Sequence, residues 1–138
     1  MTNEITAYEE TSIVTPSNPS FVNTLDVTTV EGQKQTINAI NNAASLNGME
    51  ETPLHVIGVI TMAGVRKGRG AGQVDVECQN TYLVTPDGAY YTQSDGIARS
   101  VNSMLAYFGP AFFAGGVDLK VTSKQLANGN TLKSLMML

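Results

Sequence analysis

The 138-residue chain has one cysteine, Cys78, one histidine, His55, and no tryptophan. A lone cysteine excludes an internal disulfide, and a lone histidine leaves none of the usual Cys/His zinc sites to assemble. Charge is sparse too, at 14% of residues, while 42% are hydrophobic. That balance belongs to a globular chain and excludes coiled-coil, collagen-like and wholly disordered classes. At this length one domain around one core is expected. Long apolar runs are missing as well. Met104 to Val117, interrupted by Gly109, Pro110, Gly115 and Gly116, is shorter than the roughly 20 residues a membrane helix needs. No membrane partner is expected. Glu4, Glu9 and Glu10 stand where a signal peptide carries positive charge, so the expected location is cytoplasmic.

Twelve acids against eight bases give a net charge of −4, at face value unfavourable for a nucleic-acid binder. The charge is unevenly spread. Residues 1–52 hold seven acids and one base, net −6, whereas residues 53–138 hold seven bases and five acids, net +2. Such asymmetry is a hint of a charged arm on a body with different partners, although ordinary scatter of surface charge explains it equally well.

Residues 1–22 read as an acidic flexible N-terminal arm, since Thr, Ser, Asn, Glu, Pro16 and Pro19 show neither helical nor strand period. The body is residues 23–138. Thr28 and Glu31 have the spacing of a capping box, and Ile37, Ile40, Ala44 and Leu46 recur at helical intervals, which predicts a helix over about 30–46. Leu54 to Met62 is nearly all apolar around Gly58, the pattern of a bent strand shared by two sheets. A basic glycine-rich loop over 64–72 leads to a second strand, where Val74, Val76, Cys78, Tyr82 and Val84 alternate with polar residues. Pro86-Asp87-Gly88 turns into a short third strand, Ala89 to Thr92. Ser94 caps a second helix with Ile97, Val101, Met104, Leu105 and Phe108 on one face. Val117 to Thr122 and Thr131 to Met137, joined through Asn128-Gly129, complete five strands.

Three strands, a helix and two strands is the order of the OB-fold, a five-stranded Greek-key barrel with its helix between strands 3 and 4. The fold class is therefore mostly β with two helices. OB barrels present strands 2 and 3 and the loops joining strands 1 to 2 and 4 to 5 to single-stranded nucleic acid or oligosaccharide.

Arg66, Lys67 and Arg69 can follow a phosphate backbone, Lys120, Lys124 and Lys133 can extend that track, and an exposed tyrosine can stack on any base. Tyr90 and Tyr91 are adjacent, so one faces the core and the other the ligand, with the choice open. Tyr82 shares parity with the apolar positions and is expected in the core. Each cation also has an ordinary reading as a solvated surface charge. Lys67 is followed by Gly68, not Ser or Thr, so the loop is no nucleotide-binding P-loop. Asp95 and Arg99, four apart, are expected to pair on the helix surface. An enzyme is not expected. Catalysis would need His55 beside Cys78 or a serine and an orienting acid, and no spacing favours a metal or cofactor among Asp75, Glu77 and Asp95.

Tyr82-Leu83-Val84, Asp87-Gly88 and the run Tyr90-Tyr91-Thr92-Gln93-Ser94-Asp95-Gly96-Ile97-Ala98-Arg99-Ser100 lie between Gly64-Val65-Arg66 and Leu126-Ala127-Asn128-Gly129-Asn130-Thr131-Leu132-Lys133. Over about residues 24–137 this resembles the small single-stranded DNA-binding proteins of Gram-positive phages and conjugative plasmids. The resemblance implies an OB-fold, sequence-tolerant single-strand binding, and a role in replication or conjugative transfer of a mobile element. It also implies that Arg66 and Lys67 touch the backbone and that Tyr90 or Tyr91 stacks. Housekeeping bacterial single-strand binders end in an acidic tail, whereas this chain ends Leu135-Met136-Met137-Leu138, so recruitment through such a tail is not expected. For the N-terminal arm two expectations stand side by side, self-association with a neighbouring subunit and a disordered solubilising tail. The alternatives are an OB module for a protein or carbohydrate partner, and a phage or plasmid scaffold in which Arg66 and Lys67 are dispensable.

Overall fold

The computed structural model describes residues 21–68, 72 and 74–138. In chain order these form β1 (Val22–Asn23), α1 (Val30–Asn42), β2 (Ala44–Ser45), β3 (Leu54–Val56), β4 (Gly58–Arg66), β5 (Val76–Thr85), β6 (Gly88–Thr92), α2 (Asp95–Phe108), a 3-10 turn (Pro110–Phe113), β7 (Val117–Gln125) and β8 (Thr131–Met137). The protein is mostly β with two helices. Its strands make two sheets, ordered β1-β4-β5-β6-β2 and β3-β7-β8.

The first predicted strand joins the sheets by dividing at Ile57. Leu54–Val56 pairs antiparallel with β7, and Gly58–Arg66 pairs antiparallel with β5. Between them the Ile57 N–H donates to the Val84 carbonyl at 2.8 Å, so the break costs no backbone hydrogen bond there. Gly58 serves a different end: a methyl at that position would run into the Leu25 side chain.

The expected five-stranded, partly open barrel takes the form of two sheets that do not close on each other, and β6 and β8 do not pair. Helix α2 stands against β8 instead. The Leu135 N–H donates to Ser100 Oγ at 3.1 Å, and a methyl at Gly96 would sit on the Lys133 carbonyl oxygen. The helix thus covers part of an edge that a neighbouring strand would otherwise use. Among the described residues α2 falls between the sixth and seventh strands, not the third and fourth, since β1, β2 and the division at Ile57 add three strands ahead of it.

Helix α1 begins at Val30 as expected but departs from expectation in its capping residue and in where it ends. Its cap is Thr29, whose Oγ1 accepts from the Gly32 N–H at 3.0 Å, while the Thr28 N–H and hydroxyl turn back to the Asp26 carboxylate. Those bonds hold the Asp26 carboxyl below its usual range, the hydroxyl contributing most. The helix stops at Asn42, because Ala44–Ser45 runs parallel to Tyr90 and Tyr91 and Leu46 then turns into the core. Helix α2 begins at the expected cap, with Ser94 Oγ accepting from the Ile97 N–H, and it buries Ile97, Val101 and Met104. Phe108 is exposed but stacks on Phe112 at 4.4 Å.

Alternate residues of the long sheet serve two apolar clusters. Val59 and Leu83 face the larger one, with Leu46, Val56, Ile97, Val101, Phe113, Leu119 and Val121. Ile60, Tyr82 and Val84 face the smaller one, beneath Ala39 of α1. Past the clusters β4 and β5 continue as a two-stranded ribbon. That is why Val76, predicted to face inward, is 52% exposed; Val74, also predicted inward, precedes β5 and is 75% exposed. Of the expected arm, residues 1–20 lie outside the described residues. Phe21 packs on the smaller cluster and Val22 pairs with Thr61, so the described fold already includes these two.

Candidate nucleic-acid interface

Strand parity sorts the two adjacent tyrosines. Tyr90 lies opposite Leu83 and packs against the larger cluster. Tyr91 lies opposite Tyr82 on the other face, with ring centroids 5.2 Å apart. Tyr82 is buried, in keeping with its expected place in the core, and Tyr91 is half-buried. Burial raises both phenol pKa values above the usual range; the neighbouring Tyr91 adds to the rise at Tyr82, and Cys78 adds to it at Tyr91.

Beside Tyr91 lies a chain of polar groups. The Tyr91 hydroxyl donates to Asn80 Oδ1 at 3.4 Å, and the Gln93 amide donates to the same oxygen at 3.0 Å and to the Val65 carbonyl at 3.1 Å. Arg66 Nη2 donates to the Gln93 carbonyl at 2.7 Å and to Asp95 Oδ1 at 3.3 Å. Arg66 was predicted on a flexible loop. It closes β4 opposite Val76 and is half-buried, which fixes the guanidinium against the first turn of α2. Asp95 therefore pairs with Arg66 and not, as its spacing suggests, with Arg99. The sheet brings Arg66 to the helix, and a surface i,i+4 pair contributes only a few tenths of a kcal/mol in competition.

A cleft of about 700 Å³ opens where β6 and β8 fail to meet, and it brings Arg66, Tyr91, Gln93 and Asp95 to Lys133, Asn130 and Asn47 across the gap. Three of the predicted site residues, Arg66, Tyr91 and Lys133, thus share one cleft. The others do not join it. Tyr90 faces the core; Lys67 is exposed beyond the end of β4. Lys124 is opposite Leu132 in register whereas Lys133 is opposite Ser123, so the two lysines leave the hairpin on opposite faces. Arg69 lies outside the described residues.

The charge asymmetry of the sequence is partly folded away. Glu50 bridges to Val121 and the Glu51 N–H donates to the Val121 carbonyl at 2.8 Å, which ties this acidic pair to β7. Glu50 then meets Lys133 at 3.0 Å and Glu51 meets Lys120 at 2.7 Å. The Lys133 contact holds the Glu50 carboxyl below its usual range. Lys34, Lys67, Arg99 and Lys124 make no ion pair among the described residues.

His55 and Cys78 were predicted on neighbouring strands. They stand on different sheets, His55 with Nδ1 2.7 Å from Asp118 and Cys78 opposite Gly64. No group of three potential metal ligands occurs among the described residues, and no helix there is long and apolar enough to cross a membrane. Asn80, Gln93 and Glu50 were not singled out from sequence. Parity with Tyr82 and Tyr91 carried the signal for the first two.

No protein-family model matches the chain, and neither a curated protein nor a solved structure matches it.

Proposed function

We propose that this protein binds single-stranded DNA with little sequence preference, and that its two sheets are an open variant of the OB barrel. The observation that carries the reading is the cleft where Tyr91, Arg66 and Lys133 converge. A tyrosine ring offers stacking to any base, worth about 1–3 kcal/mol, and cations on both rims suit the phosphates that follow. The amides of Gln93, Asn130 and Asn47 add donors and acceptors without committing to one base. The meander β4-β5-β6, the second sheet β3-β7-β8 and a first strand divided between them support the OB reading. The resemblance to phage and plasmid binders suggests replication or conjugative transfer as the process and the cytoplasm as the place. In this reading the N-terminal arm serves self-association along the strand.

Fluorescence-anisotropy titration of single-stranded and duplex oligonucleotides at two salt concentrations tests the proposal. Single strands are expected to bind, duplexes far more weakly, and affinity is expected to fall as salt rises. No single-strand binding at low salt would end this reading.

One observation favours a second reading. Both cleft cations already carry acidic partners, Asp95 and Glu50, which suits an uncharged polar ligand such as an oligosaccharide. Salt-independent oligosaccharide binding would be its signature.

A further inference from the structure

Both cations of the cleft are already paired: Asp95 lines the cleft itself, and Glu50 meets Lys133 from outside the lining. Arg66 Nη2 lies 3.3 Å from Asp95 and Lys133 Nζ lies 3.0 Å from Glu50, so each rim cation meets a carboxylate where a phosphate would come. Both acids are placed by the fold rather than by chance reach of a long side chain. Asp95 opens α2 directly after its Ser94 cap, and the Glu50 backbone is bridged to Val121 of β7. Arg66 and Lys133 each have a second anchor that is not acidic: the Gln93 carbonyl at 2.7 Å and Asn47 Oδ1 at 3.4 Å. Losing the carboxylate therefore leaves each cation directed at the cleft.

We propose that Asp95 and Glu50 are resident partners of the cleft's two cations, which phosphates displace when a strand binds, and which thereby lower both the affinity of the cleft and its salt dependence. This rests on the single-strand reading above and specifies how that site is regulated. A cation paired internally gains less from a phosphate than a free one, because the carboxylate must be given up and then stands beside the polyanion. The exchange makes each contact weak and readily reversed. That property fits a protein that must coat a strand and yet yield it.

The test compares wild type, Asp95→Asn, Glu50→Gln and Asp118→Asn on a labelled oligothymidylate across a salt series. Asp118, on β7, pairs with His55 and does not line the cleft, and its substitution changes the net charge by the same single unit. Asp95→Asn and Glu50→Gln are each expected to tighten binding about threefold to fivefold at low salt. Each is also expected to steepen the slope of log affinity against log salt, by up to about 0.7. Asp118→Asn is expected to match wild type. Equal effects from all three substitutions would assign the change to net charge and overturn the proposal. Wild-type binding with no change in Asp95→Asn or Glu50→Gln, in variants shown by circular dichroism to be folded, would overturn it as well. If neither wild type nor any variant binds the strand, the single-strand reading itself fails.

Discussion

The two faces of the five-stranded sheet are made from alternate residues of the same strands, yet they are finished in different ways. The face of Val59, Leu83 and Tyr90 packs on α2 and the second sheet, with Val59 and Leu83 fully buried and Tyr90 half-buried. The face of Ile60, Tyr82 and Tyr91 is covered in part by α1 and passes, through Tyr91, to Asn80, Gln93 and Arg66. One face can be altered only at the expense of folding. The other ends in half-exposed groups whose hydrogen bonds hold a ring and a guanidinium in place. Adjacent tyrosines with opposite duties, Tyr90 and Tyr91, mark the boundary.

The comparison breaks most readily at Leu83. Leu83→Ala empties a fully buried site of the packed face and is expected to cost about 2–5 kcal/mol in urea unfolding. A loss below about 1 kcal/mol would mean that this face is not the main core. A matched pair of substitutions sharpens the contrast. Tyr91→Leu is expected to weaken single-strand binding by about 1–3 kcal/mol with a smaller change in stability, whereas Tyr90→Leu is expected to move stability and leave affinity near wild type. The reverse pattern would exchange their roles. A smaller effect is expected at the cover of the open face. Thr29→Ala removes the α1 cap and is expected to cost about 1 kcal/mol, with binding unchanged.

The smallest effect is an alkaline one. The folded pKa values of Tyr82 and Tyr91 are raised, so the native state prefers the protonated phenols. Their contribution is complete below the unfolded value of about 10 and is lost as pH rises through the folded values. Unfolding midpoints followed from neutral pH upward are expected to fall only beyond that point, and Tyr82→Phe is expected to flatten the decline.

Local periodicity made most elements of the body legible. The β-branched run at 54–62 announced a strand that two sheets share, and the spacing of Ile97, Val101 and Met104 announced α2 and its buried face. What escaped was set by partners distant in sequence. Leu46 continues the period of α1, but pairing of Ala44–Ser45 with β6 ends the helix first. Val76 keeps strand alternation where no layer covers the ribbon, and Val74 extends that pattern ahead of β5, so the pattern misleads about burial. At the site, adjacency of Tyr90 and Tyr91 gave opposite faces but not which was which. The acids opposite Arg66 and Lys133 were beyond reach, because Glu50 meets Lys133 only after β7 has brought residues 50 and 51 to the last hairpin. Partition of charge along the chain thus overstated the separation between an acidic first third and a basic body.

The central claim is that the gap between β6 and β8 is a single-strand cleft built on Tyr91 and Arg66. Its most direct test is an anisotropy titration of labelled oligothymidylate at low salt with wild type and the Arg66→Gln, Tyr91→Leu double variant, both verified as folded. The account expects saturable binding by wild type and at least tenfold weaker binding by the variant. Equal affinity of the two proteins would contradict it.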